Sequence, residues 1–234
     1  MECKRFLTHT LKLWRERGNE YQVARTLVFL SDANRLLGLP AEGIQQGEEA
    51  LGILERLGDT VTQADSLVTL SLLFHKDQQL DAAEEAASRA IGLVSEKDNQ
   101  PLVCRAYRVL GDIYQSKGET EEAIHHYELA LGIASSLDWD DLSFWVNLSL
   151  TELFLNEDRF DHAHAHIERA KSHAVDGTFE LGRAVELEAK IWYKQHRLEE
   201  ARSEALRAVE VFEKLGATNK IEDCRSLLRD IRKD

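Results

Sequence analysis

The sequence predicts an all-α protein, a solenoid of antiparallel helical hairpins. Three observations predict it: a helix-forming composition, small and large residues that recur in register along the chain, and short polar turns between the recurring segments. The 234 residues are 43% apolar, enough for a core, with only two prolines and thirteen glycines to interrupt helices rich in Ala, Leu, Glu and Arg. A formal charge of −13 repels phosphate backbones and anionic lipid, so nucleic acid and membrane surfaces are not expected partners. Cys3, Cys104 and Cys224 are odd in number, far apart and without a C-x-x-C pair, which suits free thiols in a reducing compartment. No apolar run approaches the roughly 18 residues of a membrane span, and the opening Met-Glu-Cys-Lys-Arg-Phe lacks the apolar core of a signal peptide. The expected location is the cytoplasm.

Self-similarity carries the fold. The stretch from Tyr107 to Leu131 realigns with the chain at steps of about 40 residues in both directions, the last step slightly shorter. Gly111 then meets Ser31, Ser71, Thr151 and Ala189, while Ala123 meets Gly43, Ala83, Ala163 and Ala201. Small side chains at these points let the two helices of a hairpin approach closely, and a bulky one would hold them apart. Phe74, Tyr114, Phe154 and Trp192 follow one turn after the small residue and are expected to fill the space between helices.

Gly38-Leu-Pro40, Lys76-Asp-Gln-Gln, Lys117-Gly118-Glu, Asn156-Glu-Asp-Arg and Gln195-His-Arg are turns of the length that joins antiparallel helices. Pro101 after Asp98-Asn99 fits the first turn of a capped helix, and Gly58 and Gly216 fit helix ends. The resulting division is 1–20 as the second helix of a preceding repeat, five repeats at 21–60, 61–100, 101–140, 141–178 and 179–217, and a capping helix at 218–234. The chain is expected to begin inside a longer array. Leu7, Leu11, Leu13 and Trp14 should then form an exposed apolar strip open to self-association or to an upstream segment.

Tyr107, Leu110, Gly111, Tyr114, Ala123, Tyr127 and Ala130 resemble the tetratricopeptide repeat (TPR) signature, and the likeness extends along most of the chain. It implies a TPR-like α-α superhelical solenoid that binds proteins or peptides. The long period resembles the variant found in kinesin light chains and in arrays attached to STAND nucleotide-binding switches, although the family's final proline is missing from every repeat. The stretches from Leu181 to Gln195, Phe212 to Ala217 and Asp223 to Leu228 resemble the closing repeats of fungal STAND (NLR-like) proteins. No G-x-x-x-x-G-K-[ST] occurs, so a nucleotide switch would have to lie upstream.

The resemblance implies a ligand on the concave face lined by first helices. Aligned positions there include Arg25, Arg35, Arg105, Arg108, Gln115, Trp145, Glu152, Arg183 and Tyr193, with Val28, Val68, Leu148 and Glu186 also expected to be exposed. Arginine and aromatic side chains supply most binding hot spots, which favours an extended or helical peptide with isolated carboxylates among apolar residues. The clamp of Lys and Asn that grips chaperone tails in part of the family is absent, its places being held by Val28 with Asp32, Val68 with Leu72, and Arg108 with Asp112. His162 and His166, one helical turn apart and accompanied by His164, His173 and His126, are the single metal-like cluster, but without an H-E-x-x-H context they are read as solvated histidines. No cofactor, metal or catalytic residue is assigned. The leading reading is the ligand-sensing part of an NLR-like switch, ahead of a kinesin-light-chain-like scaffold or cargo adaptor, with a metal-dependent enzyme on His162 and His166 a distant third.

Overall fold

A computed structural model describes residues 2–94 and 99–233. Among them lie twelve α-helices and no strand. The chain divides into two compact units, residues 1–133 and 134–234. The first holds α1 (Glu2–Glu16), α2 (Glu20–Leu36), α3 (Pro40–Leu57), α4 (Thr60–Lys76), α5 (Leu80–Leu93), α6 (Gln100–Lys117) and most of α7 (Thr120–Ser136). The second holds α8 (Asp140–Asn156), α9 (Phe160–His173), α10 (Phe179–Lys194), α11 (Leu198–Leu215) and α12 (Thr218–Ile231). Asp98, expected to help cap α6, and the rest of 95–98 within the 61–100 segment lie outside the described residues.

Local chemistry sets the helix ends. Asn19, Asp59, Asn99 and Thr178 cap α2, α4, α6 and α10, each side chain accepting a hydrogen bond from the backbone N–H three residues on. At the other ends the motif repeats: after α3, the Gly58 N–H donates to the Glu55 carbonyl and the Asp59 N–H to the Leu54 carbonyl, with Gly58 left-handed at φ 72°. The same pair of bonds closes α4, α8 and α10, but there Gln78, Asp158 and His196 take the left-handed position.

Close packing follows from the small residues. The Ser31 hydroxyl donates to the Gly43 carbonyl at 2.8 Å and the Ser71 hydroxyl to the Ala83 carbonyl at 2.7 Å, tying α2 to α3 and α4 to α5. Gly111 on α6 faces the ring of Tyr127 on α7, and Gly182 on α10 faces Phe212 on α11. Ala83, Ala123, Ala163 and Ala201 are all fully buried. The aromatics pack between helices as expected, Phe154 buried and Phe74, Tyr114 and Trp192 half-buried. The reason for the half-burial shows at Tyr114, whose hydroxyl donates to Glu84 on α5 at 2.7 Å while its ring stacks on His126 of α7. The ring thus lies between successive second helices, where its polar end reaches the surface, and burial together with Glu84 pushes its phenol up to about 12.

The expected apolar strip on α1 is also corrected. Leu11 is buried, and Leu7 and Trp14 pack against the cluster formed by Leu11, Val23, Leu27, Leu30 and Leu54. Only Leu13 of the four is exposed, because α2 covers the others. At the far end Cys224, Leu227 and Ile231 anchor α12, while its Glu222, Asp223, Arg225 and Arg229 are exposed.

Candidate functional site

In the first unit α2, α4 and α6 lie side by side, each packed against the next. Polar bonds rung them together. Lys76 Nζ on α4 donates to the Arg35 carbonyl on α2 at 3.3 Å, Arg105 on α6 donates to Asp65 on α4 at 2.9 Å, and His75 Nε2 lies 2.7 Å from the Ser116 hydroxyl. Arg108 donates to Asp112 at 2.9 Å, and the Tyr127 hydroxyl sits 2.7 Å from Asp112 and 3.0 Å from the side-chain oxygen of Gln115. Arg35 is held by Asp32 at 2.8 Å. Arg25 lies over the Tyr21 ring and is exposed. The guanidinium groups of Arg35, Arg105 and Arg108 are therefore half-exposed and fixed in direction by neighbouring carboxylates.

The second unit repeats the arrangement on α8, α10 and α12. Arg183 donates to Glu152 on α8 and to Glu186, both at 2.9 Å. Glu186 is only 1% exposed and also receives Lys190 at 2.6 Å, with Lys220 of α12 3.3 Å away. Burial raises its pKa, but the Lys190 hydrogen bond and the charges of Lys190, Arg183 and Lys220 outweigh that and hold the carboxyl below its ordinary range. Trp145 is half-buried with its ring edge-on to Phe144, and Tyr193 packs against the cluster of Ala189, Ala201, Ala205, Leu227 and Ile231.

Four residues expected to be exposed are not. Val28, Val68, Leu148 and Glu186 are buried, because adjacent first helices pack closely enough to cover them. Sequence reasoning missed Lys76, Ser116 and Lys220, whose roles depend on side chains reaching between helices. The reading of the histidines as solvated needs correction in part: His162 is exposed, but His126, His164, His166 and His173 are half-buried against neighbouring side chains. His162 and His166 both lie against Phe154, His166 Nδ1 is 2.9 Å from Asn147 Oδ1, His164 lies against Trp192, and His173 meets Asp140 at 2.8 Å. The Asn147 amide nitrogen donates to the Ser143 carbonyl, so its oxygen faces His166, which must present Nδ1–H. Burial pushes the His166 imidazole down to about 4, with Arg169 and His162 acting in the same direction. Among the described residues no group of three or more His, Cys, Asp or Glu is placed to hold a metal ion, and no helix is long and apolar enough to cross a membrane.

The tetratricopeptide repeat profile matches residues 62–136. No curated protein matches the chain in sequence. Solved structures share its fold at low identity. BtubC (BKLC) from P. vanneervenii superposes with a TM-score of 0.74 at 16% identity, covering 92% of this chain and 91% of its own. A Rap protein complexed with competence and sporulation factor gives 0.73 at 14% identity, covering 98% and 69%. A thermophilic TPR protein of Thermus thermophilus gives 0.64 at 17% identity, covering 88% and 98%. The fold is that of an all-α, TPR-like solenoid, and residues 62–136 match the tetratricopeptide repeat.

Proposed function

We propose that the chain is a non-catalytic, cytoplasmic protein- or peptide-binding solenoid whose first helices contact the ligand, and that it forms the sensing region of a larger NLR-like switch. The observation that carries the binding reading is the set of guanidinium groups at Arg35, Arg105, Arg108 and Arg183, half-exposed and aimed by fixed carboxylates. Groups ordered before binding lose little further freedom on complex formation, so their bidentate hydrogen bonds to a ligand carboxylate contribute more to affinity. The Rap protein, alike in fold, is complexed with competence and sporulation factor, which supports a ligand of this class. The switch context rests on the closing-repeat resemblance at Leu181 to Gln195.

The chemistry favours a peptide whose isolated carboxylates sit among apolar residues, since the chain's net charge of −13 opposes a strongly acidic one. An array of peptides of that composition, with polyacidic and scrambled controls, identifies a binder. Arg108→Ala with Trp145→Ala, one substitution in each unit, should then weaken it about tenfold or more. Glu122→Ala with Glu168→Ala, on second helices, should leave it unchanged. Loss of binding in the second pair with retention in the first would place the functional face on the second helices instead.

A further inference from the structure

Three of the four aromatics that follow the small residue of a first helix meet an imidazole from a second helix. Tyr114 stacks on His126 at 5.0 Å between ring centres, Phe154 on His166 at 5.4 Å, and Trp192 lies 4.2 Å from His164. Phe74, the aligned residue one repeat before Tyr114, has no ring against it among the described residues. The register gives the cause. His126 and His166 stand 40 residues apart, and the residue 40 before His126 is Ala86. Where the next two repeats carry an imidazole, α5 carries a methyl group.

The missing ring leaves a cavity. About 180 Å³ opens between α3 and α5, both of which pack on α4. Leu67, Leu70 and Phe74 of α4, Leu51 of α3, and Ala82 and Ala86 of α5 give it an apolar lining. It falls short of the roughly 300 Å³ at which sites for drug-sized molecules begin, so it has room for one side chain. The exposed carboxylates of Glu48 and Glu85 also line it. Glu48 forms no ion pair among the described residues, and Arg89, the one cation in the lining, is drawn 3.3 Å from Glu55 and 3.9 Å from Glu85. The rim is therefore acidic. We propose that this cavity docks one aromatic side chain of a partner peptide that carries a lysine or arginine beside it. The ring stacks on Phe74 as His126 stacks on Tyr114, a pairing that aromatic side chains favour at such separations. The neighbouring cation meets Glu48 and Glu85. This site lies on second helices and takes a ligand charge opposite to that sought by the first-helix arginines.

The test applies the full chain to an array of short peptides, each with one Phe, Tyr, Trp or His set beside lysine, serine or glutamate, and with leucine in the aromatic place as a control. Peptides pairing an aromatic residue with lysine should bind about tenfold or more tighter than the leucine and glutamate versions. Ala86→His, which plants the ring that the next repeat carries, should abolish this binding while circular dichroism and thermal unfolding show an intact fold. Glu48→Lys with Glu85→Lys alters only exposed side chains and should weaken binding about tenfold or more, so the test stands even if Ala86→His fails to fold. Arg108→Ala with Trp145→Ala should leave these peptides bound, which separates this site from the first-helix one. Absence of any aromatic-dependent binding overturns the proposal, as does binding that both Ala86→His and the charge reversal leave unchanged. A dimer in sedimentation velocity that Ala86→His dissociates would give the cavity to a second copy of the chain and overturn the peptide assignment.

Discussion

A Cβ on Gly111 would lie 2.5 Å from the Tyr127 ring, and Tyr127 cannot retreat because it is fully buried and its hydroxyl is engaged with Asp112 and Gln115. Gly111→Ala should therefore cost about 1–3 kcal/mol through overpacking. Gly132, also helical, has open space where a methyl would stand, with nothing within 4 Å, and Gly132→Ala should instead gain about 0.5–1 kcal/mol by stiffening the unfolded chain. Chemical denaturation of both variants checks the pair, and equal effects would mean that the Tyr127 contact does not limit the site. This contrast explains what could be read at single positions. The recurrence of Gly111, Ser31, Ser71 and Ala189 reports a steric limit that each hairpin imposes locally, so it is visible in the letters alone. The partners of Arg105 and Arg183 depend on rotamers and on the offset between neighbouring helices, which letters do not record.

Helix ends show the same division. Gly58 and Gly216 stand at left-handed positions that glycine occupies without strain, and they could be anticipated from residue type. Gln78, Asp158 and His196 take the equivalent place at φ 63°, 55° and 59°, and although Asp and His enter this region more readily than most residues, no glycine marks it. The packing of α4 on α5, α8 on α9 and α10 on α11 requires the chain to reverse there, and the hairpin contacts outweigh the strain. Replacing Gln78 with glycine should relieve that strain and stabilise the protein by about 1 kcal/mol, the left-handed penalty being partly offset by the greater entropy of unfolded glycine. Thermal unfolding of Gln78→Gly would show a higher midpoint. An unchanged or lower midpoint would indicate that the Gln78 side chain contributes more in this turn than its backbone costs.

For the molecule as a whole, the repeating hairpins were legible because each one restates the same packing rule, whereas the distribution of exposed apolar side chains was not. The sequence placed an apolar strip on α1, but a partner helix covers most of that strip, and exposed apolar residues are scattered over several helices, Phe29 and Leu36 of α2 and Phe6 of α1 among them. Acid sensitivity likewise emerges only from burial. In residues 134–234 two buried or half-buried groups titrate unfavourably as pH falls. His166 is held neutral, its pKa lowered from 6.5 to about 4, so between those values the unfolded chain binds more protons than the folded one. Its contribution is complete above pH 6.5 and declines as pH drops toward 4. Glu186, held below its ordinary 4.5, adds a second loss as pH falls through 4.5 and lower. The unfolding midpoint should therefore decrease from pH 6.5 downward and more steeply below 4.5. Hydrogen exchange, corrected for the intrinsic pH dependence of amide rates, should show α9 and α10 losing protection over the upper part of this range. His166→Gln, which keeps a polar group toward Asn147 but cannot take up a proton, should flatten the slope between pH 6.5 and 4 while leaving the steeper fall below it. If that variant retains the full wild-type slope, His166 is not the group that the folded chain keeps from protonating.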